Sequence, residues 1–317
     1  MSSRIDYWDT LKAICILLVV AMHTDVPEPF PQAYDLMVPA FFFVSGYFIS
    51  TKYDFKTFLK KKFTSLIIPF IFWYAISYLL FYLLKLCFPN IESLTVAKGL
   101  LDCFTSKIWF NGPLWFLPSL FVCSLLIYLS NRYISKEYCR SLSTLAVGIL
   151  GYICGCNNFI LPFSIDSGLA AMPFIYFGSL LKRYALIEKI KISPMVLMGG
   201  GILFVILSLL VDTSIDLGNN IFKINYFLTC NYLLVLLFLF IIICKATNGY
   251  LKLLPWIGKN SMCILCIHHL IYRPIEFIFL NFINSSILCY FVFLLTILIC
   301  LFFNLFIKRY LPWSIGL

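Results

Sequence analysis

The sequence predicts an all-α, polytopic integral membrane protein: one bundle of about ten transmembrane helices with both termini in the cytoplasm. Three observations carry this. Hydrophobic residues make up 62% of the 317 and charged residues only 12%, about half the charged share of an ordinary soluble domain. Mean hydropathy is +0.96. Apolar runs close to the roughly 20 residues that a bilayer-spanning helix requires recur along the whole chain. The basic residues fall between these runs, and they fall unevenly.

In order, the predicted spans are 8–24, 35–51, 63–88, 113–130, 141–157, 165–181, 194–211, 226–244, 260–280 and 284–307, joined by brief loops. The second, fifth and sixth are short, so their ends are the least defined. The first run ends in "HTDVPEPF" rather than at a small-residue cleavage site, so it is expected to remain as the first anchor. With the N-terminus inside, 18 of the 24 Lys and Arg residues face the cytoplasm, Arg4, Lys52, Lys56 and Lys60–Lys62 among them. Lys85, Lys98, Lys107, Lys223 and Arg273 fall outside, together with acids such as Asp25, Glu28, Asp35, Asp212 and Asp216. This is the charge asymmetry of the positive-inside rule. It also accounts for the net charge of +10 without a nucleic-acid partner. The expected partner is the lipid bilayer.

The 13 cysteines are scattered through apolar runs. Cys263 and Cys266 have C-x-x-C spacing, but a zinc site needs further ligands, so packing is the expected role and no metal is expected.

Within the first span, Lys12 and His23 stand out, because ionisable groups inside a bilayer are costly and face a bundle interior or a water-filled cavity. They are eleven residues apart. At about 100° per residue that is within about 20° of three full turns, so the two share a helix face, separated by about 16 Å along the axis. Asp9 precedes Lys12 by one turn and can pair with it. Plainer roles stand beside these: Lys12 snorkelling to the cytoplasmic interface, His23 ending the helix, Asp9 serving as its N-cap.

"DTLKAICILLVVAMH" resembles the first-helix signature of the acyltransferase family 3 membrane proteins, a basic residue and a histidine separated by ten positions with an acid three before; Asp9, Lys12 and His23 fit it. "MVPAFFFVSGYFIS" resembles the second helix of the family through Phe42, Ser45, Gly46 and Tyr47. "FLKKKFTSLIIPFIFW", with Pro69, resembles the third. "NGPLWFLPSLF" is similar to the branch holding sugar O-acetyltransferases, and "IGKNSMCILCIHHLIY" resembles a late helix whose histidine falls on His268. The resemblance runs in order from about residue 6 to 310. Two departures stand out: Lys12 replaces the arginine of many members, and no W-S-L-x-x-E segment supplies a glutamate.

The resemblance implies a single transmembrane acyltransferase domain over 1–317, with no appended soluble esterase-like domain. It implies transfer of an acyl group, expected to be acetyl, from acetyl-CoA as co-substrate to a hydroxyl of a carbohydrate or lipid-linked glycan. The expected location is the inner (plasma) membrane of a bacterial cell. His23 is the expected general base, since an unperturbed imidazole titrates near neutrality. Lys60, Lys61 and Lys62 are candidates for the donor's phosphates, with topology and lipid headgroups as the plainer role. Lys12, with Asp9, would hold the donor as its pantetheine arm threads towards His23. Ser45 would bond a ligand or His23, or serve close helix packing. Trp115 would line the pocket or belong to an interfacial belt, and His268 would contact a substrate or be a satisfied buried histidine. His269, about 100° round the helix from His268, is expected to have a separate role. The competing function is a transporter or flippase for a glycan or small solute, which a buried Lys and His would also suit.

Overall fold

The computed structural model describes residues 6–87, 96–106, 108, 110–191, 193–247, 252–280 and 282–317. Arg4, Lys107 and the end of the third predicted span at residue 88 lie outside the described residues. Helices occupy all ten predicted positions. The chain opens with α1 (Asp6–His23) and α2 (Ala33–Tyr47), then α3 (Phe55–Lys62), which passes through a π-turn at Phe63–Ile67 into α4 (Ile68–Cys87). Pro69 has no N–H to give its helix, and the widened turn just before it is where the hydrogen-bond register slips. A short α5 (Val96–Thr105) and a 3-10 turn at Gly112–Trp115 lead into α6 (Phe116–Tyr133) and α7 (Glu137–Cys156). Next come α8 (Ile165–Ala170), α9 (Met172–Arg183), α10 (Leu186–Lys189) and α11 (Pro194–Leu210). A two-stranded antiparallel hairpin follows, β1 (Ile215–Asp216) and β2 (Ile221–Phe222), with Ile215 opposite Phe222. The chain closes with α12 (Tyr226–Ala246), α13 (Leu253–Lys259), α14 (Ser261–Phe279) and α15 (Ser285–Tyr310).

Among the described residues six helices are long and apolar enough to cross a membrane, and α8 with α9 makes a seventh if the pair, bent by 61°, is one span. The count of ten is therefore not reached, for local reasons. α1 carries Asp6, Asp9 and Lys12. α2 has only 15 residues and α11 only 17, about 22 and 26 Å of helix against a hydrocarbon core of about 30 Å. The bend between α8 and α9 falls at Ala171, just before Pro173, where a new helix can begin without losing a hydrogen bond. The coarser result holds: this is an all-α, multi-pass membrane architecture. Leucines and phenylalanines of α15 such as Leu294, Leu298 and Phe302 remain exposed on its outer face, as a lipid-facing helix requires.

The core forms where helices approach at backbone distance. A Cβ on Gly46 of α2 would lie 1.8 Å from the carbonyl oxygen of Ile175 in α9, and one on Gly258 of α13 would lie 1.7 Å from that of Asp9 in α1. Around these contacts Trp8, Phe42, Phe43 and Phe174 are fully buried, and the Trp8 ring lies 4.3 Å from that of Tyr47. The start of α1, the end of α2 and the α3 lysines thus share one end of the bundle. His23 and the hairpin lie towards the other.

Candidate active site

Near the start of α1 the half-buried Lys12 forms an ion pair with the buried Asp9. Lys12 Nζ is 2.6 Å from Asp9 Oδ1, and Lys259 reaches 4.0 Å from Oδ2. Because α1 begins at Asp6, Asp9 closes its first turn and is not its N-cap. The pair is sealed by the close approach of α13 at Gly258. A lone carboxylate at this depth would be costly, so each charge stabilises the other.

Three turns on, α1 ends at His23, which faces a cavity of about 670 Å³, a volume typical of small-molecule sites. Ser45 and Trp115 line the same cavity. So do Ser261 and Leu265 of α14, Leu66 of the π-turn, and Asp216 to Asn219 of the hairpin. The remaining wall is mostly aliphatic and aromatic, with Val38, Phe41, Phe116 and Leu120. The cavity therefore touches the end of the bundle where α14 starts and also reaches the hairpin at the far end.

Two sets of polar contacts hold these walls. Asn111, fully buried, donates to Ser77 Oγ (2.9 Å) and to the Cys266 carbonyl (3.0 Å), fixing the turn that carries Trp115 between α4 and α14. At the start of α2, Gln32 Oε1 accepts from Thr213 N (3.1 Å), and Asp35 accepts from the Thr213 hydroxyl and from Ile215 N (3.1 Å). These bonds pin the hairpin over the cavity. Its tip is tight: a Cβ on Gly218 would lie 2.9 Å from Trp115 Nε1.

Not every candidate meets at the cavity. His23, Ser45 and Trp115 line it together, whereas Lys12, Asp9, Lys60, Lys61 and Lys62 do not. Lys60 and Lys61 are exposed, and Lys61 lies 3.6 Å from the centre of the Tyr53 ring. Lys62 stands one turn before Leu66, which does line the cavity. Gly46 shows what its own segment does: its missing side chain lets α2 meet α9, while neighbouring Ser45 turns to the cavity.

His268 is buried in α14, with its ring 5.4 Å from that of His23. His269 is also buried and lies closer, at 4.4 Å and edge to face. His23 thus sits opposite both α14 histidines. The 100° step between consecutive residues places their rings 5.2 Å apart, at right angles. Sequence reasoning passed over His269. The signal in the sequence is its place beside His268. It also passed over Gln32, Asp35 and the hairpin, whose assembly depends on partners about 180 residues away.

Comparison with curated proteins and with solved structures finds no match. Residues 5–305 match the family described as an acyltransferase domain, acyltransferase family 3. That match covers essentially the whole chain and includes every residue placed above around the cavity. The chain belongs to the acyltransferase family 3, and the protein is a membrane acyltransferase.

Proposed function

We propose that the protein is an O-acetyltransferase that moves an acetyl group from acetyl-CoA to a hydroxyl of a carbohydrate or lipid-linked glycan, with His23 as general base. The observation that carries this reading is the cavity shared by His23, Ser45 and Trp115. An imidazole at one wall takes the hydroxyl proton as the oxygen attacks the thioester carbonyl. The new C–O bond replaces the C–S bond, and the proton passes from His23 to the leaving CoA thiolate. Trp115 offers a flat apolar face for a sugar ring, and Asp216 supplies an acceptor near it.

The donor reaches this point from the cytoplasm. The reading takes both termini as cytoplasmic, which puts Lys60–Lys62 on the side where acetyl-CoA is found. Lys62 lies one turn from the cavity wall at Leu66, so phosphates held by these lysines leave the pantetheine arm beside the cavity. Lys12, held by Asp9, stands at the same end as a further hydrogen-bond donor for the donor molecule. The acceptor enters from the hairpin side, in the inner membrane of a bacterial cell.

The test is purified protein with radiolabelled acetyl-CoA and membrane glycans, followed by mass spectrometry of surface glycans from cells with and without the protein. Acetylated sugar that disappears with His23→Ala supports the reading. Movement of glycan without covalent acetylation would replace it with transport.

A further inference from the structure

The three histidines of the chain come together in one place. His23, His268 and His269 each offer a ring nitrogen, and these nitrogens all lie within 4.8 Å of one another. His268 and His269 are 0% and 3% exposed. The Nδ1 of His268 faces two acceptors, the carbonyl oxygens of Ile264 (2.8 Å) and Leu265 (3.1 Å), so Nδ1 carries the proton. That fixes the tautomer and leaves the Nε2 lone pair directed elsewhere. Among the described residues, His268 Nε2 and both ring nitrogens of His269 have no hydrogen-bond partner. Buried polar atoms are rarely left so, and three on adjacent rings ask for a shared occupant.

A cation meets that need. Neutral imidazole is a good ligand for zinc and its first-row neighbours, and it does not suit magnesium or calcium. A ligating histidine ordinarily gives its other N–H to a backbone carbonyl or carboxylate, which is the arrangement of His268. Zinc–nitrogen bonds of about 2.1 Å put the three nitrogens of a tetrahedral site about 3.4 Å apart. Small rotations of the rings close the difference from 4.8 Å.

We propose that His23, His268 and His269 form a three-histidine site for a divalent cation of the zinc class, and that filling it silences His23. A coordinated nitrogen has its lone pair in the metal bond and accepts no proton. The effect on turnover rests on His23 as base, whereas the binding does not. The site thus offers reversible inhibition by metal, with the fourth coordination position left to water.

The experiment uses the full chain, purified in detergent and stripped with chelator. Zn²⁺ is measured by equilibrium dialysis with elemental analysis, and Co²⁺ by its visible ligand-field absorption. One ion per chain is expected, with a tetrahedral cobalt spectrum. His268→Gln and His269→Gln should each weaken binding at least tenfold while keeping the thermal midpoint of the stripped protein. Zn²⁺ should slow acetyl transfer by the wild type, and chelator should restore it. No stoichiometric binding, equal binding by both variants, or transfer that Zn²⁺ leaves unchanged or accelerates would overturn the proposal. Transfer by stripped wild type and stripped His23→Ala tests the base assignment separately. If stripped His23→Ala transfers acetyl as fast as stripped wild type, the base reading fails and the dialysis result still stands.

Discussion

The imidazole of His269 meets that of His23 edge to face, with ring centres 4.4 Å apart. This contact joins the end of α1, where His23 lines the cavity, to the middle of α14. A change at His23 therefore alters the cavity wall without touching the polar pins of the hairpin or of Trp115.

The first prediction follows directly. His23→Ala should lower acetyl transfer by about 10²–10⁴-fold, the range for a lost general base. Its thermal midpoint in detergent should stay near that of the wild type. Undiminished turnover would remove His23 from the chemistry.

Lys12 and Asp9 call for a paired test. Lys12→Ala removes one cation from the Asp9 carboxylate, whose side chain is 3% exposed. The expected loss is about 1.5–3 kcal/mol, the range for a hydrogen bond to a charged group, since Lys12 is 21% exposed and Lys259 stands 4.0 Å from Oδ2. Adding Asp9→Asn to Lys12→Met should recover most of that stability. A donor KM that stays raised in the recovered double variant assigns Lys12 to the donor, and a normal one makes the pair purely structural.

Trp115 should separate the two substrates. Trp115→Ala is expected to raise the KM for the acceptor about tenfold while the KM for acetyl-CoA changes little, because the ring faces the cavity next to the hairpin. Steady-state kinetics with each substrate varied in turn checks this. Equal effects on both would put the donor against the same ring.

Gly46→Ala should prevent stable assembly of α2 on α9. The added carbon would lie 1.8 Å from backbone, not from a side chain that can turn away. The measure is the yield of monodisperse protein in detergent. A normal yield would mean that the two helices tolerate separation.

At the other end of the bundle Glu188 accepts from the Tyr47 hydroxyl and from Lys182 Nζ at 3.4 Å. Partial burial raises its carboxyl pKa, but the Tyr47 hydroxyl, its own backbone N–H and Lys182 outweigh this and hold it below the ordinary 4.5. A depressed folded-state pKa contributes stability above the unfolded value and loses it as pH falls through the folded one. Thermal midpoints should therefore fall from about pH 4.5 downwards in the wild type, and less steeply in Glu188→Gln.

Much of the architecture is legible in the sequence because lipid imposes one rule, a long apolar run per crossing. The runs at 226–244 and 260–280 become α12 and α14 within two residues at either end. Where the rule weakens, so does the reading. α1 mixes three charges into its first turns, and the break at Ala171 divides one run into two helices. The cavity was legible only in part. His23 and Ser45 announce themselves by spacing and motif. Asp35 does not, since its partners Thr213 and Ile215 lie after α11, the latter in β1, and only the fold brings them near. His269 was hidden for a different reason: angle along one helix says little about a neighbour that sits between two adjacent side chains.

The greasy lining of the cavity has a further consequence. A sugar hydroxyl and a water molecule are chemically similar nucleophiles, and water in bulk is far more abundant. With Val38, Phe41, Phe116 and Leu120 forming much of the wall, there are few groups to retain stray solvent near His23. On the proposed reading, a thioester delivered there would be guarded from hydrolysis, because excluding water prevents the side reaction. The same residues that make the helices at home in lipid would thereby guard the acyl group of the proposed reaction from waste.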